Sequence, residues 1–213
     1  MKIEQLFNDL VSTLIGRNRP VSAEAPKASS ELPKASSELP EDLVTYDDQA
    51  EKMTRFLRPS QYSNKPSFQG ASDDILRLIL RKSLEHNVNP DFAGAVARQE
   101  SSFRPNVISP DGGYGLFQLT PSRGRIGIGN PAYDKYTDEE LLEPEFNTEL
   151  GLKYLRQMLD IAQKDVDTGV VKPEWLYRDA YSRYNSGNIN TTPAKRMKVN
   201  KVMDYMGKPE WKR

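Results

Sequence analysis

One glutamate stands where an apolar helix gives way to a glycine-rich loop. Phe92, Val96 and Glu100 follow one another at four-residue steps, so they share one face of a helix predicted to begin at Pro90. On that face a carboxyl group meets a low dielectric, and it also lies near the negative end of the helix dipole. Both effects raise the pKa of Glu100. A carboxyl group that stays protonated near neutral pH can act as a general acid, for example toward the leaving oxygen of a glycoside.

A partly buried ion pair is the alternative interpretation of Glu100. Arg98 and Arg104 are close enough in sequence to be its partners. On composition alone this alternative is favoured, because most glutamates of helices are solvated surface residues. The residues that follow Glu100 change that balance.

The segment that follows carries a recognisable pattern. Residues 100–121 read ESSFRPNVISPDGGYGLFQLTP. This resembles the signature of the soluble lytic transglycosylases, lysozyme-like enzymes of the bacterial cell wall. In that family a Glu-Ser pair closes a helix, and a glycine-rich loop carries Ser, Gly-Leu-Met-Gln and Pro. Phe117 stands where the family most often has methionine, which keeps bulk and apolarity. The matching residues are Glu100, Ser101, Ser109, Gly112, Gly115, Leu116, Gln118 and Pro121.

Two segments farther along the chain resemble the same family. PEFNTELGLKYL, at 144–155, is similar to its P-x2-N-x3-G-x2-Y-L helix. YSRYNSG, at 181–187, resembles its A-Y-N-A-G segment, and Tyr184 and Asn185 match. Motifs in the right order over residues 72–206 are far more specific than any one of them alone.

The resemblance implies a mechanism with Glu100 as the only catalytic acid and base. Glu100 would protonate the oxygen that leaves the anomeric carbon of N-acetylmuramic acid, with help from the substrate's own acetamido group. The resulting carboxylate would take a proton from the sugar's primary hydroxyl, and that oxygen would close an anhydro ring. If water took its place, the enzyme would be a hydrolytic muramidase.

The other site candidates come from the loop and from the tyrosine-asparagine segment. They can hydrogen-bond sugar substituents, offer a ring face, or let the backbone approach a glycan. Each also has a structural alternative: Gln118 could cap a helix, Tyr184 could belong to the core, and the loop glycines could serve only turns. The predicted substrate-binding residues are Ser109, Gly115, Phe117, Gln118, Tyr184 and Asn185.

Asp111 is the one carboxylate inside the glycine-rich loop. It is a candidate second carboxylate, since goose-type lysozymes are thought to use one to position water. The sequence Pro-Asp-Gly is a strong turn signal, however, so a turn residue is the favoured interpretation.

The elements predicted to position these residues are mostly helices. Ser72 is placed to cap a helix whose apolar residues face inward. The loop after Glu100 is rich in glycine and proline, and a short hairpin fits there. We therefore expect a mainly α, lysozyme-like domain with a glycine-rich loop or small hairpin after the catalytic helix. The remaining predicted helices are 138–142, 147–159, 175–184 and 194–206.

The first 45 residues lie outside the resemblance and predict a different organisation. Residues 1–17 carry apolar side chains at three- and four-residue steps, which predicts an amphipathic docking helix. Residues 18–45 contain PKASSEL twice in tandem, and this proline- and serine-rich composition is typical of a flexible tether. Residues 46–213 are then the catalytic domain. The apolar stripe could also pack back on the domain or lie on a membrane, and the membrane is least favoured because the polar face carries Glu4 and Asp9. We expect the helix to dock on another virion protein or on a second copy of itself.

Composition narrows the classes of function. The net charge is zero, so no global charge favours nucleic acid or an anionic membrane. No cysteine and a lone His86 argue against a zinc site and against a cysteine or serine peptidase, and no cofactor is expected. No segment approaches the apolar length of a membrane span.

The N-terminus does not have the pattern of a signal peptide, because Glu4, Asn8 and Asp9 interrupt its apolar residues. A peptidoglycan substrate lies outside the cytoplasm. The simplest resolution is a bacteriophage protein that is either packaged in the virion and delivered during entry or released through a holin at lysis. The predicted docking helix and tether favour a virion component, which would act in the cell wall of the host periplasm. A virion structural protein without activity is the alternative from another class, and the intact Glu-Ser pair argues against it.

Overall fold

The computed structural model describes residues 59–124, 129–186 and 193–207. The predicted docking helix at 1–17 and the tether at 18–45 lie outside the described residues. No β-strand forms in the described part, so the prediction of a mainly α domain is confirmed. The α-helices are α1 (Pro59–Tyr62), α2 (Asp73–Glu85), α3 (Pro90–Ser101), α4 (Asp138–Leu142), α5 (Pro144–Asp167), α6 (Leu176–Ser186) and α7 (Pro193–Tyr205).

Helices α2 and α3 begin at the predicted positions, after the Ser72 cap and at Pro90. The Ser72 side chain accepts a hydrogen bond from the Ile75 backbone N–H, and α3 starts at Pro90. Asn89 caps α3: its Oδ1 accepts from the N–H of Asp91 and of Phe92. An asparagine side chain at this position satisfies backbone donors that the first helical turn leaves free.

Helix α3 is the central helix of the domain. Every residue from Phe92 to Ala97 is buried, and α3 packs against α2, against α7 and against the 3₁₀ turn Pro66–Phe68. Gly94 lets the ring of Phe68 pack directly against the backbone of α3, since a Cβ at Gly94 would lie 2.7 Å from Cζ of Phe68. The catalytic candidate therefore stands on an element that is enclosed on several sides.

Helices α5 and α6 pack against each other and against several other helices of the domain. Helix α5 contacts α2, α4 and α6, and α6 also contacts α7. A charged cluster joins α5 to α6: Arg183 Nε donates to Asp179 Oδ2 over 2.8 Å, and Nη2 of Arg183 pairs with Asp165. Asp179 is buried, so this pair is largely removed from water.

The loop between α3 and α4 contains isolated bridges in place of a regular hairpin. Tyr114 forms antiparallel bridges with Ile108 and with Leu119.

Among residues 59–124, 129–186 and 193–207, no helix combines the length and the apolar character that crossing a membrane requires.

Candidate active site

Glu100 lies in the last turn of α3, and the backbone turns sharply just beyond it. Ser101 is buried and its Oγ donates to the Ala97 carbonyl over 3.1 Å. Ser102 and Phe103 then adopt left-handed conformations, with φ of 52° and 61°. Consecutive left-handed residues other than glycine are uncommon, and they end the helix directly after Glu100.

Two side chains of α6 reach the Glu100 carboxyl group. The Tyr181 hydroxyl donates to Oε1 of Glu100 over 2.6 Å. The side chain of Asn185, one turn farther along the same helix, also hydrogen-bonds the carboxyl group. The carboxyl is therefore held by neutral hydrogen-bonding groups.

The arginines considered as ion-pair partners are engaged elsewhere. Arg98 places its guanidinium 4.0 Å from the ring centroid of Tyr205. Arg104 donates from Nε to the Ser101 carbonyl over 3.0 Å. The alternative of an ion pair between Glu100 and either arginine is not seen in the structure.

The surroundings of Glu100 raise its pKa above the ordinary value of a glutamate. The largest cause is burial, which disfavours the charged form. The hydrogen bond from Tyr181, the positive charge of Lys198 on α7 and the hydrogen bond from Asn185 act in the opposite direction, but burial prevails. The pKa of Glu100 is thus raised, as predicted, which favours the protonated acid.

In the described part of the chain, no group of three or more His, Asp or Glu side chains could hold a metal ion.

A tight turn shapes the first half of the glycine-rich loop. The Gly112 N–H donates to the Ser109 carbonyl over 2.9 Å, and Gly112 has φ of 83°. The Ser109 hydroxyl accepts from the Gly113 N–H, also over 2.9 Å. Asp111 is exposed at the tip of this turn, as expected for a turn residue.

Gln118 closes the second half of the loop. Its Nε2 donates to the Gly115 carbonyl over 2.9 Å and to the Val107 carbonyl over 3.3 Å. A Cβ on Gly113 would lie 2.8 Å from Gln118 Oε1 and 3.1 Å from the hydroxyl oxygen of Ser109. Ser109 and Gln118 therefore meet around Gly113, and their observed hydrogen bonds stabilise the loop itself.

Asn147 ties the loop to α5. Its side chain is fully buried; Oδ1 accepts from the Phe117 N–H over 2.9 Å, and Nδ2 donates to the carbonyls of Tyr114 and Leu141 over 2.8 and 2.7 Å. Gly115 makes this approach possible, because a Cβ there would lie 2.6 Å from Nδ2 of Asn147. The motif asparagine thus has a structural role that sequence analysis did not assign.

Phe117 and Gly115, both predicted to bind substrate, lie inside the protein. The Phe117 side chain is fully buried and packs against Gly151 of α5, and Gly115 is buried beside Asn147. The side chain of Phe117 is not on the surface that a sugar would contact. Its carbonyl accepts a hydrogen bond from the Tyr184 hydroxyl over 2.7 Å, so Phe117 connects the loop to α6.

A group of tyrosines stands beside Glu100. Tyr184 lies 6.3 Å from Tyr181 and 5.2 Å from Tyr154, measured between ring centroids. Burial and the nearby Glu100 charge keep the pKa of both Tyr181 and Tyr184 well above the usual range, so both remain neutral donors. Tyr181 is a site residue that the sequence motifs did not indicate. Its position three residues before Tyr184, on the same helix face, is the signal that could have found it.

Comparison with known proteins decides the family. Residues 77–204, more than half of the chain, match the family described as "Transglycosylase SLT domain". The chain belongs to this family. The matched range contains Glu100, the glycine-rich loop, and helices α4, α5 and α6 complete. The predicted family is thereby confirmed.

Curated relatives resemble the chain over a shorter range. It is 35% identical over 80 residues to a protein of Salmonella typhimurium and 34% identical over 80 residues to one of Escherichia coli K12, both named "Soluble lytic murein transglycosylase". It is 33% identical over 72 residues to a "Putative soluble lytic murein transglycosylase" of Haemophilus influenzae. These matches cover 37%, 37% and 34% of this chain and 12% of each relative, so the SLT-family chain spans only a small part of their length. No solved structure matches the chain.

Proposed function

We propose that this SLT-family protein is a lytic transglycosylase that cleaves peptidoglycan between N-acetylmuramic acid and N-acetylglucosamine. The observation that carries the proposal is the carboxyl of Glu100, whose pKa burial raises and whose Oε1 is held by Tyr181. A protonated, oriented carboxyl is what a general acid needs before it meets the glycosidic oxygen. The family membership of residues 77–204 supplies the substrate class.

The reaction uses one carboxyl group twice. Glu100 gives its proton to the glycosidic oxygen as the bond to the anomeric carbon of N-acetylmuramic acid breaks, and the substrate's acetamido group assists at that carbon. The Glu100 carboxylate then takes a proton from the primary hydroxyl of the same sugar. That hydroxyl oxygen bonds to the anomeric carbon, an anhydro ring closes, and no water is consumed.

The remaining candidates bind the glycan around this centre. Ser109, Gln118, Tyr184 and Asn185 present hydroxyl and amide groups that can hydrogen-bond sugar substituents. The ring of Tyr184, which is only partly buried beside Tyr154, supports a sugar-binding role as well, since aromatic faces suit the apolar side of a sugar ring.

Digestion of purified sacculi with mass analysis of the products tests the function. Wild-type protein should release muropeptides with anhydro ends, and Glu100→Gln should release none. The matched control is Glu139→Gln, an exposed glutamate of α4, which should behave as wild type. Products heavier by one water would indicate a hydrolytic muramidase. No release by the wild-type protein would favour an inactive structural protein.

We also propose that residues 1–17 attach the enzyme to another protein of a bacteriophage virion, or to a second copy, and that residues 18–45 give it reach toward the host cell wall. The support is the sequence pattern: an apolar stripe at helical spacing followed by the PKASSEL repeat. A short helix of this kind is marginal alone in water and needs a surface to pack on.

Truncation and charge substitution test this organisation. Removal of residues 1–45 should leave a folded, active domain of residues 46–213, measured by thermal melting and sacculus digestion. Leu6→Asp with Leu10→Asp should release the protein from its particle or partner and leave activity on soluble glycan unchanged, because each charge would enter an apolar interface without a counterion. Normal assembly of the double variant would contradict the docking role.

A further inference from the structure

A hydrogen bond between Tyr181 and Glu100 links α6 to the end of α3 at this site. The two residues are 81 positions apart, and the distance from the Tyr181 hydroxyl to Oε1 is 2.6 Å. Tyr181 is fully buried, so its hydroxyl has no ready exchange with water. Its ring is enclosed by the core, and the hydroxyl is therefore fixed in direction as well as in distance.

We propose that Tyr181 is the positioning residue of the catalytic acid. Its hydroxyl fixes the orientation of the Glu100 carboxyl and stabilises the negative charge that remains on that carboxyl after proton transfer. This inference rests on the proposed function of Glu100. The hydrogen bond gains strength as the carboxyl becomes charged, because hydrogen bonds to ionised groups are shorter and stronger than those between neutral groups. Such a bond contributes more in the transition state than in the ground state, which is the condition for accelerating the reaction.

The hydroxyls of Tyr181 and Tyr184, both on α6, donate to different acceptors. The Tyr184 hydroxyl donates to the Phe117 carbonyl over 2.7 Å, which joins α6 to the glycine-rich loop. Tyr181 donates to the acid itself. Tyr184 matches the tyrosine of the family's A-Y-N-A-G segment, whereas Tyr181, the first residue of YSRYNSG, is not one of the matched positions. The contact with the acid therefore comes from a residue that the motif match did not mark.

Other groups act on the same carboxyl from two helices. Asn185 of α6 hydrogen-bonds it, and the positive charge of Lys198 of α7 favours its ionised form. Burial, and after it the Glu100 charge, raise the pKa of Tyr181 and of Tyr184, which keeps both hydroxyls protonated. Removal of the Tyr181 hydroxyl leaves Asn185 and Lys198 in place, so the contribution of Tyr181 can be separated from theirs.

The test is the pH dependence of kcat for Tyr181→Phe, measured in parallel with that of the wild-type protein. Phenylalanine keeps the buried ring and removes only the donor. We expect kcat to fall roughly 10- to 100-fold, in line with loss of a hydrogen bond to a charged group. The alkaline limb, where Glu100 loses its proton, should move to higher pH because the carboxylate loses a stabilising partner. KM should change little.

Tyr184→Phe is the matched control. It removes a hydroxyl from the same helix that donates to a backbone carbonyl. Whatever it does to the rate, it should leave the position of the alkaline limb where wild type has it. A lower rate of Tyr181→Phe without any movement of the limb would indicate a merely structural role and overturn the inference, as would an unchanged rate.

A second variant should move the alkaline limb of the pH dependence of kcat in the opposite direction. Replacement of Tyr181 by 3-fluorotyrosine keeps the hydroxyl and makes it a stronger donor, so the alkaline limb should move to lower pH. A limb that stays in place would overturn the inference even if Tyr181→Phe fails to fold. Failure of the proposed function is distinguishable: the wild-type protein would then release no anhydro-muropeptides. Failure of this inference leaves wild type active, Glu100→Gln inactive, and either the rate or the alkaline limb of the Tyr181 variants the same as in wild type.

Discussion

The ring of Phe117 lies directly against the backbone of Gly151. A Cβ added to Gly151 would stand 2.4 Å from Cγ and 2.5 Å from Cβ of Phe117, closer than real side-chain contacts allow. Phe117 is fully buried, and its N–H is fixed by Asn147. The glycine of α5 thus sets the depth at which the glycine-rich loop is seated beside Glu100.

Gly151→Ala should therefore destabilise the protein although it improves the helix. Alanine gains about 1 kcal/mol over glycine in a helix interior. Overpacking against a ring that cannot retreat typically costs about 1–3 kcal/mol, and here the loop must move as well. We expect a lower free energy of unfolding in urea and reduced sacculus digestion. Gln157→Ala, at an exposed position of the same helix, is the control and should be nearly neutral. A stabilised Gly151→Ala variant would contradict this packing.

Asn147→Asp should be strongly destabilising at neutral pH. The introduced carboxylate cannot donate to the carbonyls of Tyr114 and Leu141, which Asn147 now satisfies. Leaving buried groups unpaired costs about 1–3 kcal/mol each, so a total loss of roughly 3 kcal/mol or more is expected. Asn106→Asp, at an exposed loop position, should change stability by less than about 0.5 kcal/mol.

The pH dependence of Asn147→Asp gives an independent check. Burial beside carbonyl oxygens raises the folded-state pKa of the new carboxyl above its unfolded value. The folded state then binds a proton more readily, so the destabilisation should shrink as the pH falls below that raised pKa. Urea unfolding at neutral and acidic pH measures the difference. Equal destabilisation at both pH values would show that the carboxyl does not face these carbonyls.

The sequence predicted the helices that carry local signals. The Ser72 cap and Pro90 mark the starts of α2 and α3, and Asp138–Leu142 was predicted with the bounds that α4 has. These signals depend on neighbours in the chain, so no knowledge of packing was needed. The face of α3 that carries Glu100 follows in the same way from four-residue spacing, whereas its choice as the candidate acid depended on the resemblance of residues 100–121 to the family.

Contacts between distant segments could not be predicted. Helix α5 runs to Asp167, well past the predicted end at 159, because Ala162 is buried and Asp165 pairs with Arg183 of α6. The inward orientation of Phe117 depends on Gly151, since a loop has no period that tells which side chain faces the core. Tertiary packing sets such features, and local propensity does not show them.

Arg183→Met should lower stability by about 3–5 kcal/mol, because it leaves the buried carboxylate of Asp179 without its cation. Methionine keeps the stem of the side chain in contact with its surroundings. Because α6 carries Tyr181 and Tyr184, a disturbed α6 should also slow sacculus digestion.

Asp160→Asn is the matched control for Arg183→Met. Asp160 pairs with Arg156 at the same four-residue spacing, but its side chain is 59% exposed, against 5% for Asp179. Exposed pairs contribute about 0–1 kcal/mol, so this change should be close to neutral in urea unfolding. Similar losses of unfolding free energy in both variants would show that burial does not increase the contribution of the Asp179 pair to stability.

Glu100→Gln should make the protein more stable than wild type at neutral pH while abolishing activity. Burial raises the pKa of Glu100 in the folded state, so folding favours its protonated form. Stability contributed by that bound proton is fully present below the unfolded-state pKa and is lost as the pH rises through the folded-state pKa. Glutamine carries no charge to desolvate, and its Oε1 can still accept from Tyr181. Thermal melting across the pH range should show the two proteins alike in acid and the variant ahead near neutrality. A wild-type protein that stays equally stable or gains on the variant as the pH rises would mean that the Glu100 carboxyl is solvated and unsuited to hold its proton for catalysis.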